Sequence, residues 1–497
     1  MTRWAGHHLL VLLLVQVLAI ALFVPTDPVR AQVVEIIVPA DEHWTWEDGS
    51  RNISEKVTVQ GTLTVRNYEL RFNLTNDGEA SFWVDPGGVL EFDNVTMAPD
   101  NGSALFYFKV SGRFDCRDSH IAHLTGQFAT GGGIKCVDGE VEMNNTRITD
   151  CKVQGVYVDG PQAKVVLDNC IIDDVEYGVH VLRGGTATLR NGSTIDGFSR
   201  AGVLINTGEA HLSNSTLVAS SDKRNHTLSQ GVAARNAQIT VFDSVIRDCA
   251  EDGIELTDES SAHMINTEVG ECKVGVRMTS SSAEIVEGRI HDCVDGMNIL
   301  LSDPKVRRSH LVDNTNGVAS KDCAPGYLLE DCTIGGNAQY GIYAVGEGLR
   351  ETGTKWTSDG GAPNTLGRLL QMWKLDVNVT DRAAIPVSGA VVEVKTGDGD
   401  LVFNSTTDAL GQVRDIELEG WLVASDGTNV TQKPYQVRIE KGDRWAEKSV
   451  TMDTNKALIV GLGEAPSITD SPFFWAVPVI IVILVVVAIA YWWFYVR

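Results

Sequence analysis

The stretch GIELTDESSAHMINTEVGECKVGVRMTSSSAEIVEGRIHDCVDGMNI, residues 253–299, states one short phrase three times. Glycine, an aliphatic residue, a variable residue and an apolar residue recur as GIEL at Gly253, GVRM at Gly275 and GMNI at Gly296. The phrase is also found upstream as GIKC at Gly133, GVYV at Gly155, GVHV at Gly178, GVLI at Gly202 and GVAA at Gly231, and weaker copies follow at Gly317 and Gly341. Successive glycines stand 22, 23, 24, 29, 22, 22, 21, 21 and 24 residues apart. So regular a period marks a repeat architecture, which has to be read before any motif inside it.

Each repeat carries further short apolar runs, as in AKVVLDNCIIDD (163–174), AQITVFDSVIRDC (237–249), SAEIVEGRIHDC (282–293) and GYLLEDCTIGG (326–336). Runs of three to five residues with period-two alternation, punctuated by Gly, Asn and Asp, are strands joined by tight turns; a helix needs a longer periodic run. Three such strands and three turns use up one period. A coil of this size cannot bury its apolar face alone, so coils stack in register about 4.8 Å apart around an inner column of Val, Ile and Leu. The predicted fold is all-β, a parallel β-helix made right-handed by crossover chirality. Leucine-rich repeats have a similar period but a different L-x-x-L-x-L signature, and hexapeptide β-helices keep a stricter one. Less regular coils are expected upstream, in KVTVQGTLTVRNYELRFN (56–73) and beyond, with Trp44 and Trp46 capping the open end of the core. The 29-residue interval places its extra length in a polar outer loop, ASSDKRNHTLSQ.

The Gly-[Val/Ile]-x-apolar phrase alternating with DNCII and EDCTI resembles the repeats of pectate-lyase-like parallel β-helix proteins, particularly prokaryotic and archaeal surface proteins. The resemblance implies the fold and leaves activity open, because the same solenoid serves lyases, hydrolases, epimerases, adhesins and wall proteins. Hydrolases of this fold carry paired Asp motifs with Gly-His-Gly and Arg-x-Lys elements, and epimerases an Asp-Pro-His-Asp element. None of these occurs here, so the reading leans away from an enzyme.

A formal net charge of -24 over 497 residues argues against nucleic acid or an anionic membrane surface as partner. Residues 1–31 read as a cleaved secretory signal, with Arg3, an apolar core from Leu9 to Val24 and a small-residue site ending at Ala31. Residues 473–496 are free of charge and long enough to span a bilayer, with Trp492, Trp493 and Tyr495 as an interfacial belt and Arg497 beyond it. The expected topology is a single-pass cell-membrane protein with its bulk outside. Eleven Asn-x-Ser/Thr sequons lie between the two segments, at Asn52, Asn73, Asn94, Asn101, Asn144, Asn191, Asn214, Asn225, Asn378, Asn404 and Asn429, and they support a glycoprotein.

Nine cysteines in a secreted chain suggest disulfides. Against the repeat, however, Cys249, Cys272 and Cys293 fall in one column on consecutive rungs, with Asn314 and Asn337 in equivalent places. Inward thiols are expected there, and a bridge among these three is within reach. HDCVDG (291–296) is then one copy of a recurrent turn that includes Gly296, and only His291 and Asp295 are peculiar to it. Asp150, Asp173, Asp196, Asp248, Asp292 and Asp313 occupy the same turn, where Asp is favoured by local hydrogen bonds. The alternative is Ca²⁺ held by stacked carboxylates, Glu251, Asp252, Glu255, Asp292 and Asp295. No other cofactor is expected.

The variable position two after each glycine points outward and reads Lys135, Tyr157, His180, Leu204, Ala233, Glu255, Arg277, Asn298, Ala319 and Tyr343. Two groups stand out. Lys135, Tyr157 and His180 could serve a β-elimination as base, acid and charge neutraliser, or could contact sugar, or could be plain surface. Glu255 and Arg277 are expected as a cross-strand ion pair, with a ligand contact as the alternative.

The 22-residue rhythm stops near residue 368, so the helix is placed at 32–368. Longer alternating strands over 369–463 predict an antiparallel β-sandwich, and 464–472 a linker. VNVTDRAAIPVSGAVVEV followed by TTDALGQV resembles the carboxypeptidase regulatory-like, transthyretin-like domain, which implies a spacer without catalysis. The combined expectation is a surface protein that presents a β-helix for adhesion, envelope structure or polysaccharide contact, with a membrane-tethered polysaccharide lyase or glycoside hydrolase as runner-up.

Overall fold

The computed structural model describes residues 35–462 apart from residues 73, 75, 101–104, 126–131, 220–227, 324–326, 346–349, 353–354, 358–366, 424–428 and 432–433. Forty-six strands, β1 (Glu35–Val38) to β46 (Lys456–Leu462), make up this part, and among the described residues no helix is long and apolar enough to cross a membrane. The expected signal segment, linker and span at 1–31, 464–472 and 473–496 lie outside the described residues, as does the polar insertion at 220–227.

The repeat is a coil of three strands, stacked in parallel on the next coil. In one coil these are β24 (Asp252–Thr257), β25 (Ser261–Ile265) and β26 (Glu268–Gly270); in the next, β27 (Val274–Thr279), β28 (Ser282–Val286) and β29 (Arg289–His291). Glu255 pairs with Arg277, Ala262 with Ala283 and Val269 with Ile290, so all three strands keep register from rung to rung. Period-two alternation sends Ile254, Leu256, Met264 and Val269 inward, where each is fully buried. One continuous core runs from Val38 to Ala344. Its first coils are filled by Phe72, Phe82, Phe92, Phe106, Phe108 and Phe114, and Trp44 and Trp46 pack against its end.

The repeated glycines do other work than expected. Gly253, Gly275 and Gly296 lie inside first strands rather than in the turn before them. A Cβ on Gly253 would stand 2.4 Å from Val269 Cγ1 and 2.7 Å from the Gly275 carbonyl oxygen; on Gly275 it would stand 2.4 Å from Ile290 Cγ2. The first strand begins so close to the third that only hydrogen fits. The turn itself is made by left-handed residues, among them Asp150 (φ 53°), Asp248 (62°), Asp292 (54°) and Asp313 (58°). Asp173 and Asp196 are not among them, because Asp174 (53°) and Gly197 (70°) take that conformation in their coils.

The solenoid and the second unit share a strand. β39 (Gly367–Asp381) starts as a rung on β36 (Tyr340–Val345). It continues antiparallel to β42 (Gln412–Val423) and parallel to β46. A separate four-stranded antiparallel sheet of β41 (Leu401–Thr406), β40 (Val391–Lys395), β44 (Tyr435–Lys441) and β45 (Arg444–Val450) packs over it. Leu375, Val377, Val392, Val437, Ile439 and Val460 fill the space between the two sheets. The layers are those of a sandwich, and the parallel β39–β46 pair departs from the expected antiparallel pattern.

Candidate functional site

The outward row is a continuous ladder. Thr58, Trp83, Lys109, Lys135, Tyr157, His180, Leu204 and Ala233 are register partners on consecutive first strands. Glu255, Arg277, Asn298, Ala319 and Tyr343 follow them. All point to the outer face of the first sheet, and the ladder changes character at Leu204. From Trp83 to His180 the row is aromatic and basic; after Ala233 it is mixed, with Glu255, Arg277 and Asn298 followed by Ala319 and Tyr343.

Lys135, Tyr157 and His180 are brought together as the sequence row implied. The Lys135 ammonium lies 5.2 Å from the centre of the Tyr157 ring, and the Tyr157 and His180 rings meet edge to face at 5.3 Å. Tyr177 stacks on His180 from the other side at 5.8 Å, with the Arg200 guanidinium 6.0 Å from the Tyr177 ring. Further along, Trp83 is flanked by the Lys56 and Lys109 ammonium groups at 4.5 and 4.9 Å and meets Tyr107 edge to face at 5.8 Å. Among the described residues no carboxylate lies within 4.0 Å of the Lys109 or Lys135 ammonium.

The protonation chemistry favours contact over proton transfer. Burial pushes His180 down to about 4, so the ring is neutral near pH 7. Its Nδ1 lies 3.4 Å from the Gln154 amide and its Nε2 3.2 Å from the Asn206 amide, so both nitrogens are engaged. Both amides present their NH2 groups, so the one bare nitrogen of the neutral imidazole accepts from the amide that faces it. A general base needs an unengaged nitrogen in reach of its proton. Burial, with Asp159, pushes the Tyr157 phenol up and keeps it protonated, and burial pushes the Lys135 ammonium down from its ordinary value. Beside them, buried Asp159 accepts two hydrogen bonds from Arg183, through Nε and Nη2.

The second group is wired differently from the expectation. Arg277 donates through Nε to buried Asp252 at 2.9 Å, and Glu255 accepts instead from Gln230 at 2.7 Å. Asp252 lies three residues before Glu255 on the same strand and is nearly sealed from water. Burial there raises its carboxyl above the ordinary value, with Arg277 opposing. The remaining Ca²⁺ candidates are dispersed. Glu251 pairs with Lys273 at 2.8 Å, Asp292 with His291 at 2.7 Å, and Asp295 accepts from Asn298 and Asn316 at 2.8 and 2.9 Å. Among the described residues no group of three or more His, Cys, Asp or Glu is placed to hold a metal ion. His291 is clamped between Asp292 and Glu268 in the third sheet, on a different sheet from Asp295, so the two do not form one site.

All nine cysteines are buried thiols. The three column residues Cys249, Cys272 and Cys293, among which the spacing allows a bridge, are free thiols; each donates to the carbonyl two residues earlier, at 3.6, 3.0 and 3.1 Å, and the Cys272 sulfur also meets those of Cys249 and Cys293. Asn314 and Asn337 continue the column as predicted, accepting from the backbone N–H of Cys293 and Asn314.

Sequence reading missed Trp83, Tyr107 and Lys109, which extend the strip by two coils. Their coils lack the glycine phrase, and only the alternation in SFWV and FYFKV signals their direction. It also missed a concave patch of about 260 Å³ on the second sheet, lined by Asp115, Arg117, Glu142 and Asn144. There Asp115 and Glu142 are register partners, and Arg113 donates from Nε to both Asp115 oxygens at 2.9 Å.

Fold and face together define a parallel β-solenoid with an aromatic, basic strip on its first sheet. The chain belongs to the right-handed β-helix family, whose model, described as right handed beta helix region, matches residues 57–217 and 201–350. Among solved structures it is similar to a periplasmic alginate epimerase, at 11% identity over 64% of this chain and 76% of that one, with a TM-score of 0.35. The A-module of an Azotobacter vinelandii mannuronan C-5 epimerase is 14% identical over 64% and 91%, with a TM-score of 0.32. A mutant tailspike protein of E. coli bacteriophage HK620, solved with a hexasaccharide, is 10% identical over 80% and 85%, with a TM-score of 0.27. These are likenesses of fold. No curated protein matches the chain.

Proposed function

We propose that this is a membrane-anchored surface protein whose solenoid binds an acidic extracellular polysaccharide along the strip from Trp83 to Tyr177. The observation that carries the reading is that two lysines on consecutive rungs, Lys109 and Lys135, stand between two exposed-face rings, Trp83 and Tyr157. Trp83 lies between Lys56 and Lys109, and Tyr157 between Lys135 and His180. Sugar rings stack on aromatic faces through their C–H groups, and lysine ammonium groups between the rings meet carboxylates carried by the polymer. A rung spacing of about 4.8 Å lets an extended chain meet successive rungs. The protein as a whole is strongly acidic, so a local basic strip is a selective place for an anion.

Binding is favoured over lyase or hydrolase chemistry by the engaged nitrogens of His180 and the raised Tyr157 phenol. The carboxypeptidase regulatory-like unit at 369–463 is read as a stalk, and residues 473–496 as the anchor. The test is a titration of the full-length protein in detergent with a polyuronate and with a neutral glucan. Selective binding of the polyuronate, weakened by salt and by Lys109→Ala with Lys135→Ala, supports the reading. Equal affinity for both polymers, or affinity indifferent to the two lysines, contradicts it.

A further inference from the structure

Four of the sequons fall on one line of the solenoid. In each coil the second strand passes into the third at a residue in the left-handed conformation. Asn94 (φ 53°), Asn145 (47°), Asn191 (56°) and Asn214 (47°) are such residues. Asn94, Asn191 and Asn214 are themselves sequon asparagines, Asn144 immediately precedes one, and all four are exposed. This corner joins the second sheet to the third, and it is the one corner of a three-sided coil that the first sheet does not border.

We propose that this corner is N-glycosylated and forms a sugar-bearing edge that leaves the face of the first sheet bare. In the transfer the Asn Nδ2 bonds to the anomeric carbon of a lipid-phosphate-linked oligosaccharide. The anomeric C–O bond breaks, the lipid phosphate leaves with the electron pair, and the amide gives up one proton. The product amide keeps one N–H. That is enough for the corner's own hydrogen bonds: Asn94 donates to Asn67 Oδ1 at 3.0 Å, and Asn191 donates to the Asp168 carboxylate at 2.9 and 3.0 Å. A glycan on Asn144 would also cover the concave patch that Asn144 lines.

The geometry fixes the order of events as well. The hydroxyl that completes the Asn144 sequon belongs to Thr146, which is 2% exposed and donates to the Asn144 carbonyl at 3.0 Å. For Asn191 it is Ser193, 1% exposed and donating to the Leu167 and Arg190 carbonyls. A transferase that reads the hydroxyl cannot reach either one in the folded coil, so both asparagines are modified before the coil closes. In the second unit Asn404, Ser405 and Thr406 are all exposed, which leaves that sequon open after folding.

Peptide mapping of the full-length protein from a glycosylating host is expected to find oligosaccharide at Asn94, Asn144, Asn191 and Asn214. The folded chain from a host lacking N-glycosylation, treated with an oligosaccharyltransferase and its lipid-linked donor, is expected to be modified at Asn404 but not at Asn144 or Asn191. The unfolded chain is expected to be modified at all three. Bare corner asparagines in the first experiment, or modification of folded Asn144 and Asn191 at the rate of Asn404, would overturn the proposal. Enzymatic removal of the sugars should change polyuronate affinity less than twofold; a larger change would show that the edge does not leave the face clear.

Discussion

Tyr157 and His180, register partners on adjacent rungs, meet edge to face with ring centres 5.3 Å apart, and Lys135 closes the row with its ammonium 5.2 Å from the tyrosine ring. Each ring is held by its neighbour, so the strip is a rigid platform before any ligand arrives, and little ordering cost remains on binding. Replacing Tyr157 or Trp83 by Ala is expected to weaken polyuronate binding by about tenfold, the loss of one ring with its cation. Tyr343→Ala, on the same row but beyond the basic stretch, should stay within twofold. Calorimetric titration of the three variants checks this.

His180 gives the folded protein an acid-side weakness. Its pKa is depressed to about 4 from the ordinary 6.5, so the unfolded chain binds its proton first. The contribution is fully present above 6.5 and is lost as the pH falls toward about 4, amounting to at most about 3 kcal/mol. A series of melting temperatures from pH 7 to 4 should fall more steeply for the native protein than for His180→Gln. Parallel curves would show that the ring is not buried as described.

His291 has the opposite sign. Burial disfavours its cation, but the carboxylates of Asp292 and Glu268 outweigh burial and raise the pKa above 6.5. Its contribution is therefore present below 6.5 and is lost as the pH rises through the folded value. His291→Gln should cost stability at pH 5.5 and much less at pH 8.5, as read by urea unfolding at the two values. An equal cost at both would rule out the ionic clamp.

The glycine column makes a packing prediction. Gly253→Ala puts a methyl 2.4 Å from Val269 Cγ1 and 2.7 Å from a backbone oxygen, and overpacking of this kind costs about 2 kcal/mol or more. Gly461→Ala, on a strand with nothing within 4 Å, should stay within about 0.5 kcal/mol. Chemical denaturation of both variants makes the comparison.

The period of the glycines was enough to read the coil, its stacking and the direction of the outward row. Period-two alternation fixes which side chains share a face once the register is set, and parallel coils leave little freedom in register. Partners along the row were harder to read. Arg277 reaches past Glu255 to Asp252 because a buried carboxylate needs a charge more than an exposed one does. The cysteine column was legible but its chemistry was not, since the spacing of the cysteines is the same for a ladder of free thiols and for a bridge. Trp83 and Lys109 stayed hidden because the first coils keep the alternation without the phrase that marks the later ones. The strand shared between solenoid and sandwich, Gly367–Asp381, runs through the end of the repeat without a turn residue to mark where its partners change.

The central claim, that the first-sheet strip binds an acidic polysaccharide without turning it over, is tested most directly by incubating the full-length protein with a polyuronate under binding conditions. Bound polymer and released or epimerised product are followed in the same sample. The account predicts saturable, salt-sensitive binding weakened by Lys109→Ala with Lys135→Ala, and a polymer recovered unchanged in length and composition. Product formation that disappears in His180→Ala would contradict it.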